Sequence, residues 1–333
     1  MFNIEDLITV VVPMYNRDTY LHETIYSILN QTYRNLEIFF IDDGSSDNCL
    51  SIAKYYERLD NRIKVFTQKN GGICVAMKNA VLQAKGNYIT RCDSDDISEL
   101  DRYEKQLDFL KENNYDMVGC YIKCFGSGSE FNQRYLEKCV NKPIRTYKDQ
   151  ENRFLLGQPI TGSTIFSKTH VLRDILPFRK DCSIIEDFYL TVMLHKRGKR
   201  ISILEEEKLN YRVHDKNLSL SGNSDLTKKH TEIAFNYMFK EHILKKKNIL
   251  IFRYSNEKEL IEDILNKYFS TCLHKIKIIT EHEVDDFLSK HSDIFLDYKN
   301  TIVFYGMSFR NLVTPLLEWG KYTMFDNLFM SGC

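Results

Sequence analysis

Short apolar runs alternate with amphipathic segments through the first hundred residues of the chain. Residues 10–12 form a β-branched run that ends at Pro13, and residues 36–41 form another that ends at an Asp-Asp-Gly turn. Both runs are predicted to be buried strands that end in loops. Between them, residues 19–31 carry leucine and isoleucine at helical spacing, which predicts a crossover helix.

The alternation continues along the chain and predicts a doubly wound α/β fold. Further predicted elements are a helix through 52–56, a strand over 63–66, a helix over 71–84, a strand over 88–91, a helix over 101–110 and a strand over 116–125. Strands alternating with helices form a mostly parallel sheet with right-handed crossovers. The carboxyl ends of such strands meet at one edge, where open sheets bind ligands.

The pattern is weaker beyond residue 125. Residues 126–152 are polar without periodicity and are predicted to be irregular. Later predicted elements are an apolar strand after a Gly-Gln-Pro turn over 157–166, a helix over 185–196, and strands over 201–204 and 209–213. We therefore expect one domain over 1–222. Residues 223–333 form a C-terminal extension, which the pattern leaves open as a helical tail or a small α/β module.

Composition excludes several classes of partner. The 333-residue chain has 46 Lys plus Arg and 46 Asp plus Glu, so no global field directs it to nucleic acid or an anionic membrane. Nine cysteines without a paired Cys-x-x-Cys framework, and no N-terminal signal or long apolar run, favour a cytoplasmic protein with free thiols. The basic run 245–247 allows peripheral association with the inner face of the cell membrane, with a solvated turn as the alternative.

Four motifs carry the candidate chemistry: VVPMYN (11–16), IDDGSSD (41–47), RCDSDD (91–96) and IIEDF (184–188). Asp93 and Asp95 flank Ser94, so in an extended segment both carboxylates point to one face. Oxygen ligands of this kind suit magnesium or manganese. Asp96 is predicted to cap the helix that follows. The order and spacing of these motifs resemble the inverting glycosyltransferases of family two, which have the GT-A fold, over about residues 6–221.

The resemblance implies a nucleotide-binding half over 1–100, an acceptor half over 101–222 and a nucleotide site at the strand ends. Its residues would be Pro13, Tyr15, Asp43, Lys78, Asp93, Ser94 and Arg212. In the resembled enzymes Tyr15 would lie beside the base, and Asp43 would accept a hydrogen bond from the uracil imide N–H. An interior aromatic and a turn-stabilising carboxylate are the alternatives for these two residues. Lys78 stands where relatives commonly have arginine, which weakens any expectation of a bidentate phosphate contact there.

The resemblance also implies a metal site and a catalytic base. Asp95 would ligate Mn²⁺ or Mg²⁺ directly, and His214 of the Tyr-Arg-Val-His segment would be the second protein ligand. A surface histidine is the alternative. Asp187 would deprotonate the acceptor hydroxyl, with Glu186 orienting either Asp187 or the acceptor, and the helix N-terminus is expected to lower the pKa of the base. A helix-capping pair is the alternative for either acid.

These features predict a metal-dependent inverting glycosyltransferase, transferring a hexosyl or N-acetylhexosaminyl group. It would use a UDP-sugar donor and a saccharide or lipid-linked saccharide acceptor in surface polysaccharide biosynthesis, such as capsule or O-antigen. UDP is favoured over GDP or dTDP by the resemblance alone, and residues 157–163 are expected to line the sugar pocket. One rival is a sugar nucleotidyltransferase, whose Gly-rich basic triphosphate loop is missing from residues 11–17. The other is a non-catalytic nucleotide-sugar-binding scaffold.

Overall fold

The computed structural model describes most of the first 217 residues and several short segments after them. The described residues are 6–147, 149–150, 153, 159–176, 186–217, 248–252, 259, 262–263, 265–266, 273–274, 276–280, 282–291, 301–305 and 324–326. The chain divides into two compact units. Unit 1 comprises Met1–Gln150, Gln158–Ser221 and Cys333, and unit 2 comprises Glu151–Gly157 and Gly222–Gly332.

Unit 1 alternates strands and helices in its first half and becomes less regular in its second half. Its strands are β1 Ile8–Met14, β2 Leu36–Asp42, β3 Ile63–Thr67, β4 Tyr88–Arg91, β5 Ile97–Ser98, β6 Met117–Gly126, β7 Phe166–Lys168 and β8 Ile201–Val213. Its helices are α1 Asp18–Leu29, α2 Cys49–Leu59, α3 Ile73–Gln83, α4 Arg102–Glu112, α5 Glu130–Val140, α6 Thr169–Arg173 and α7 Glu186–Lys196, with a 3₁₀ turn at Gly162–Thr164.

The strands of unit 1 form one eight-stranded sheet in the order β3-β2-β1-β4-β7-β6-β8-β5. Strands β3, β2, β1 and β4 are parallel, whereas β7 runs antiparallel to both of its neighbours. All seven residues of β2 are buried, as are six of the seven in β1. Strands buried on both faces are nearly continuous apolar runs, which is why they were visible in the sequence. The predicted α/β class with a mostly parallel sheet is confirmed.

The segment predicted to be irregular contains a helix, so that prediction is wrong. Helix α5 occupies Glu130–Val140 and packs through the partly buried Leu136 and Val140. Its polar residues bind the backbone of β6: Glu137 Oε1 accepts a hydrogen bond from the Cys124 N–H at 2.6 Å. Just beyond the helix, the Asn141 amide bonds both the N–H and the C=O of Ile122, at 2.8 and 2.7 Å. These long-range bonds compensate for the weak hydrophobic periodicity.

The two strands predicted over 201–204 and 209–213 are one strand, β8. The three glutamates that separate the apolar runs, residues 205–207, remain in the strand and are exposed to solvent. Register shifts between Cys120 and Tyr121 and between Tyr121 and Ile122 of the partner strand β6 mark a bulge at this point. A bulge accommodates extra residues without ending a strand, so the acidic interruption does not break the pairing.

Unit 2 contains a second parallel sheet. Its described elements are β9 Asn248–Phe252, β10 Ile276–Ile279, α8 Val284–His291, β11 Thr301–Tyr305 and β12 Met324–Asp326. The four strands are parallel in the order β10-β9-β11-β12. Of the two alternatives for this region, the strands favour an α/β module. Across the described part of the chain, no helix is both long and apolar enough to cross a membrane.

Candidate active site

The carboxyl ends of β1, β2 and β4 lie side by side and carry most of the predicted site residues. The loops that follow β1 and β2 are joined by hydrogen bonds. The Asp43 N–H donates to the Met14 carbonyl at 2.9 Å, and the Ser46 N–H donates to Asn16 Oδ1 at 2.8 Å. Asn16 has a φ of 54°, a left-handed conformation that asparagine tolerates better than most residues. The tight turn after β1 therefore places its side chains beside those of β2.

Asp43 lies at the end of β2 and is 5% exposed. Its Oδ1 accepts hydrogen bonds from Gln68 Nε2 at 2.8 Å and from the Gly71 N–H at 2.9 Å, and its Oδ2 accepts the Gly72 N–H at 2.8 Å. Asp43 therefore stabilises the loop before α3, the alternative considered for it. Its Oδ2 has one partner among the described residues and keeps acceptor capacity for a base N–H.

The other residues predicted to hold the nucleotide differ in their exposure to solvent. Tyr15 is 49% exposed, so it is not an interior aromatic and its ring is available to a ligand. Pro13 is half-buried in β1, and Ser94 is buried in the turn after β4. Lys78 is half-buried on α3 and forms no ion pair with any described residue. Contact of these four residues with a nucleotide stays a prediction.

Asp93 and Asp95 do not lie in an extended segment, which corrects the expectation that they share a face. Residues 94–95 form a turn, closed by a hydrogen bond of 3.2 Å from the Asp96 N–H to the Asp93 carbonyl. The turn separates the two carboxylates, and each has its own set of partners. Asp93 belongs to a group with Arg91, Glu186 and Asp187, which we call the Asp187 cluster. Asp95 belongs to a group with Arg17 and His214, the Asp95 cluster.

In the Asp95 cluster, one carboxylate oxygen faces two nitrogen-bearing side chains. Asp95 Oδ2 accepts a hydrogen bond from Arg17 Nε at 3.2 Å and lies 3.1 Å from His214 Nε2. The three side chains are 14%, 19% and 4% exposed, in the order Asp95, Arg17 and His214. The His214 ring stacks on Tyr20 of α1 with ring centroids 5.1 Å apart. His214 is thus a fixed and buried side chain, rather than the surface histidine considered as the alternative.

Arg212 supports the turn that carries Asp95. Its Nε donates to the Asp95 carbonyl at 2.8 Å, and its Nη2 donates to Glu23 at 2.8 Å. The guanidinium also lies over the rings of Tyr20 and Phe125, at 4.5 and 4.4 Å from their centroids. These contacts occupy the faces of the guanidinium and part of its edge, which favours a supporting role over direct phosphate binding in this conformation.

Asp96 does not cap the following helix, so that prediction is wrong. It is 1% exposed, its Oδ1 accepts the Arg212 N–H at 2.9 Å, and its Oδ2 accepts the Ser163 hydroxyl. Burial raises the pKa of Asp96 well above its ordinary value, and the nearby Asp95 and Asp93 raise it further. Asp96 ties the turn of the aspartates to β8 and to the 3₁₀ turn. Helix α4 instead begins after Asp101, which makes no side-chain capping bond.

The Asp187 cluster contains three acids around one arginine. The Arg91 guanidinium, 10% exposed, binds Asp93 in a bidentate manner at 2.6 and 3.0 Å, and its Nη1 donates to Glu186 Oε1 at 2.5 Å. Burial opposes the charge of Arg91, but Asp93 and Glu186 raise its pKa well above its ordinary value. Arg91 thereby connects the turn after β4 with the first residue of α7.

Asp187 is the second residue of α7, and its Oδ1 accepts the Phe188 N–H at 2.8 Å. Gly162 makes room for it: a Cβ at Gly162 would lie 3.0 Å from Asp187 Oδ2 and 2.7 Å from Arg91 Nη1. Of residues 157–163, expected to line the sugar pocket, the structure describes 159–163. Within this segment Gly162 lies against Asp187 and Arg91, whereas the Ser163 hydroxyl bonds Asp96.

The pKa of Asp187 shifts in the direction opposite to that expected from the helix N-terminus. Removal from water, and then the charge of Glu186, raise it from 3.8 to about 7, whereas Arg91 and the Phe188 N–H oppose the rise. Burial likewise raises the pKa of Glu186. The prediction of a lowered pKa is therefore wrong, because neighbouring acids and burial outweigh the helix terminus. A base with a pKa near 7 is well matched to proton transfer at neutral pH.

The Asp95 cluster fits a small divalent cation that has two protein ligands. Asp95 Oδ2 and His214 Nε2 are 3.1 Å apart, and neighbouring ligands of an octahedral ion with bonds near 2.1 Å are about 3 Å apart. The carboxylate oxygen suits manganese or magnesium, and the imidazole nitrogen suits a transition-metal ion, so of these two cations the pair favours manganese. Within the described ranges, no group of three or more His, Cys, Asp or Glu side chains could hold a metal. The remaining ligands of such a cation would come from phosphate or water.

No role was predicted for Arg17 or Arg91, although both belong to or adjoin the quoted motifs. Arg17 follows VVPMYN directly, and Arg91 opens RCDSDD. The sequence signal that could have identified them is an arginine next to a quoted motif at a strand end. Their partners lie 78 and 95 residues away, at Asp95 and Glu186. Pairing at such separations depends on the sheet order, which local patterns do not define.

The model of the family described as glycosyl transferase family 2 matches residues 9–175, which include the strand ends and both Asp93 and Asp95. The chain belongs to this family. It is a glycosyltransferase, as predicted, and relatives within the family include proteins of polysaccharide biosynthesis. The O-antigen biosynthesis glycosyltransferase WbnJ of Escherichia coli is 33% identical over 66% of this chain and 84% of its own length.

A further relative agrees with this assignment, and solved structures share the fold. Glycosyltransferase GlyG of Streptococcus pneumoniae serotype 4 is 43% identical over 50% of this chain and 60% of its own length. Among solved structures, S. aureus TarS 1-349 in complex with UDP is 20% identical, with a TM-score of 0.54 over 86% of this chain and 80% of that chain. TarS has also been solved with UDP-GlcNAc. At this identity the likeness shows the fold alone, and it agrees with the predicted GT-A architecture.

Proposed function

We propose that this family 2 member transfers a sugar from a UDP-sugar to a hydroxyl of a saccharide or lipid-linked saccharide, with inversion at the anomeric carbon. The observation that carries the proposal is the pair of clusters on one strand-end turn. Asp95 faces His214, while Asp93 is joined through Arg91 to Glu186, which adjoins Asp187. This arrangement combines a candidate cation site for a diphosphate with a candidate base whose pKa is about 7.

In the proposed reaction, Asp187 takes the proton of the acceptor hydroxyl. The acceptor oxygen then forms a bond to the anomeric carbon as the bond from that carbon to the diphosphate oxygen breaks. The bonding electrons leave with UDP, and the proton remains on Asp187 until it passes to solvent. One displacement of this kind inverts the anomeric configuration and requires no covalent enzyme intermediate.

Asp95 and His214 would hold Mn²⁺ or Mg²⁺, which supplies Lewis-acid neutralisation of the charge that grows on the departing diphosphate. Tyr15 and Pro13 would lie beside the base, Asp43 would accept the uracil imide N–H, and Asp93 with Ser94 would bind the ribose. Lys78 is the candidate for phosphate contact, and Arg212, predicted to bind the nucleotide, would act on it by supporting the turn that carries Asp95. Support for UDP comes from the solved TarS complexes with UDP and UDP-GlcNAc, which share the fold.

The biological setting follows from the family members. WbnJ is named for O-antigen biosynthesis, and a further relative in Bacillus subtilis, TuaG, is a putative teichuronic acid glycosyltransferase. We infer a role in bacterial surface polysaccharide assembly, at the inner face of the cell membrane where lipid-linked acceptors are elongated. Sucrose-gradient flotation of the full chain with liposomes would test membrane association. Recovery of all protein in the lipid-free fractions would contradict it.

A nucleotide-release screen tests the donor class. UDP-, GDP-, CDP- and dTDP-sugars are incubated with the protein and Mn²⁺, and released nucleoside diphosphate is measured. We expect turnover of one or more UDP-sugars, with no release of pyrophosphate from UTP and a sugar 1-phosphate. Turnover of GDP-sugars alone would show that the base pocket is assigned wrongly. Pyrophosphate release would favour a nucleotidyltransferase.

A further inference from the structure

Arg17 holds a position against Asp95 that a bound cation would also require. Its Nε donates to Asp95 Oδ2 at 3.2 Å, the same oxygen that lies 3.1 Å from His214 Nε2. The ion pair is largely shielded from water, since Arg17 is 19% and Asp95 14% exposed. The carboxylate that is expected to ligate a cation therefore already has a positively charged partner from the protein.

The guanidinium is fixed in this position by two further bonds. Nη1 donates to the Asn16 carbonyl at 3.0 Å, and Nη2 donates to the Lys216 carbonyl at 2.7 Å. Arg17 thus joins the loop after β1, the Asp95 turn and the segment that follows His214. Each acceptor is an oxygen, and two of them belong to backbone that other contacts already position. This is an ordered counter-ion rather than a mobile surface arginine.

A divalent cation and this guanidinium compete for the same oxygen. Like charges at a few ångströms repel strongly where water is largely excluded. Binding of the cation alone would either displace Arg17 from Asp95 or place two positive groups on one carboxylate. A nucleoside diphosphate changes the balance, because its phosphate oxygens accept bonds from both the cation and an arginine fork.

We propose that Arg17 is the resident counter-ion of Asp95 and makes cation binding depend on the nucleoside diphosphate. The inference rests on the proposed cation site at Asp95 and His214. It predicts weak binding of the cation to the free protein and much tighter binding when UDP is present. Because coupling between two ligands is reciprocal, the cation should strengthen UDP binding by the same factor.

Manganese binding measured by electron paramagnetic resonance tests this dependence without any turnover. The signal of free Mn²⁺ is titrated with wild type, Arg17→Gln and Arg17→Lys, each with and without UDP. We expect UDP to tighten Mn²⁺ binding to wild type about tenfold or more. Arg17→Gln should bind Mn²⁺ about tenfold more tightly than wild type without UDP, and Arg17→Lys should stay closer to wild type.

A matched control is Arg62→Gln, which removes an arginine from a bidentate pair with Asp60 elsewhere in unit 1 and should leave Mn²⁺ binding unchanged. Equal or weaker Mn²⁺ binding by Arg17→Gln would overturn the proposal. So would wild-type protein that binds Mn²⁺ equally well with and without UDP, a result that needs no variant to fold.

Asp95→Ala distinguishes failure of the proposed cation site from failure of the role of Arg17. If Asp95→Ala leaves Mn²⁺ binding in the presence of UDP intact, the cation site itself is wrong. If Asp95→Ala loses Mn²⁺ binding but Arg17→Gln has no effect on it, the cation site stands and only the role of Arg17 is wrong.

Discussion

The Asp95 cluster and the Asp187 cluster arise from one turn after β4 but differ in charge balance. In the Asp95 cluster, one carboxylate faces one arginine and one histidine. In the Asp187 cluster, Asp93, Glu186 and Asp187 surround the single guanidinium of Arg91. The first cluster is close to neutral, and the second has an excess of acids.

This difference in charge balance determines whether each cluster is suited to exchange a proton or a metal ion. Where acids exceed cations and water is scarce, the acids bind protons more tightly, and the pKa of Asp187 rises to about 7. In the Asp95 cluster the carboxylate already has a cationic partner, Arg17, and a metal ion can replace that partner. The comparison therefore assigns proton transfer to the Asp187 cluster and cation binding to the Asp95 cluster.

The largest effect should come from Asp187→Asn. Loss of a positioned base typically costs about 10²- to 10⁴-fold in rate, whereas donor binding does not use this carboxylate. We expect transfer to fall within that range and the calorimetric affinity for UDP with Mn²⁺ to stay at the wild-type value. Glu186→Gln should lose less than Asp187→Asn. Near-normal transfer by Asp187→Asn with an inactive Glu186→Gln would identify Glu186 as the base.

Asp95→Ala should give the next largest effect, through the other cluster. Removal of a group that stabilises charge in the transition state costs about 10²- to 10³-fold. Chelator-treated wild type should likewise lose turnover and regain it with Mn²⁺ or Mg²⁺. Lys54→Ala removes an exposed ion pair with Glu57 on α2 and serves as a surface control. Full activity in chelator would show that the Asp95 cluster does not act through a cation.

The rate of transfer should depend on pH through the Asp187 cluster. The base must be ionised, so with a pKa of about 7 the rate under kcat/KM conditions rises about tenfold per pH unit below 7 and levels off above it. Asp187→Asn should flatten this limb of the profile. A wild-type profile that is flat from pH 5 to 8 would contradict the raised pKa.

The smallest effect concerns the base pocket beside the Asp95 cluster. Stacking on an aromatic side chain contributes about 1–3 kcal/mol per base, so Tyr15→Ala should weaken UDP binding by about tenfold. Tyr15→Phe retains the ring and should bind UDP nearly as well as wild type. Calorimetric titration of both variants decides the matter. Unchanged affinity of Tyr15→Ala would remove Tyr15 from the nucleotide site.

The sheet edge could be predicted from the sequence because it depends on local patterns. The apolar runs of β1, β2 and β4 predict parallel strands, and the acidic motifs after β2 and β4 place Asp43 and Asp95 at the same edge of the sheet, on the two strands that flank β1. Helix α5 could not, because Glu137 and Asn141 obtain their stabilising bonds from the backbone of the preceding strand β6, 13 and 19 residues back, rather than from a hydrophobic pattern within the helix.

The pKa of Asp187 and the contacts of Arg212 also could not be predicted from the sequence. The helix N-terminus of Asp187 is visible locally and predicts a lowered pKa, but burial and Glu186 prevail. Similarly, Arg212 is predicted to bind the nucleotide, yet its guanidinium lies over the rings of Tyr20 and Phe125. Such outcomes depend on which rings and charges the folded chain brings within about 5 Å.

The most direct test of the division between the two clusters compares Asp95→Ala with Asp187→Asn in one calorimetric series. UDP is titrated into each variant with Mn²⁺ present, and sugar transfer is measured on the same preparations. The account predicts that Asp187→Asn retains wild-type UDP and Mn²⁺ binding but transfers sugar very slowly, whereas Asp95→Ala loses both Mn²⁺-dependent UDP binding and transfer. Loss of Mn²⁺-dependent UDP binding in Asp187→Asn, or its retention in Asp95→Ala, would contradict the assignment of separate roles.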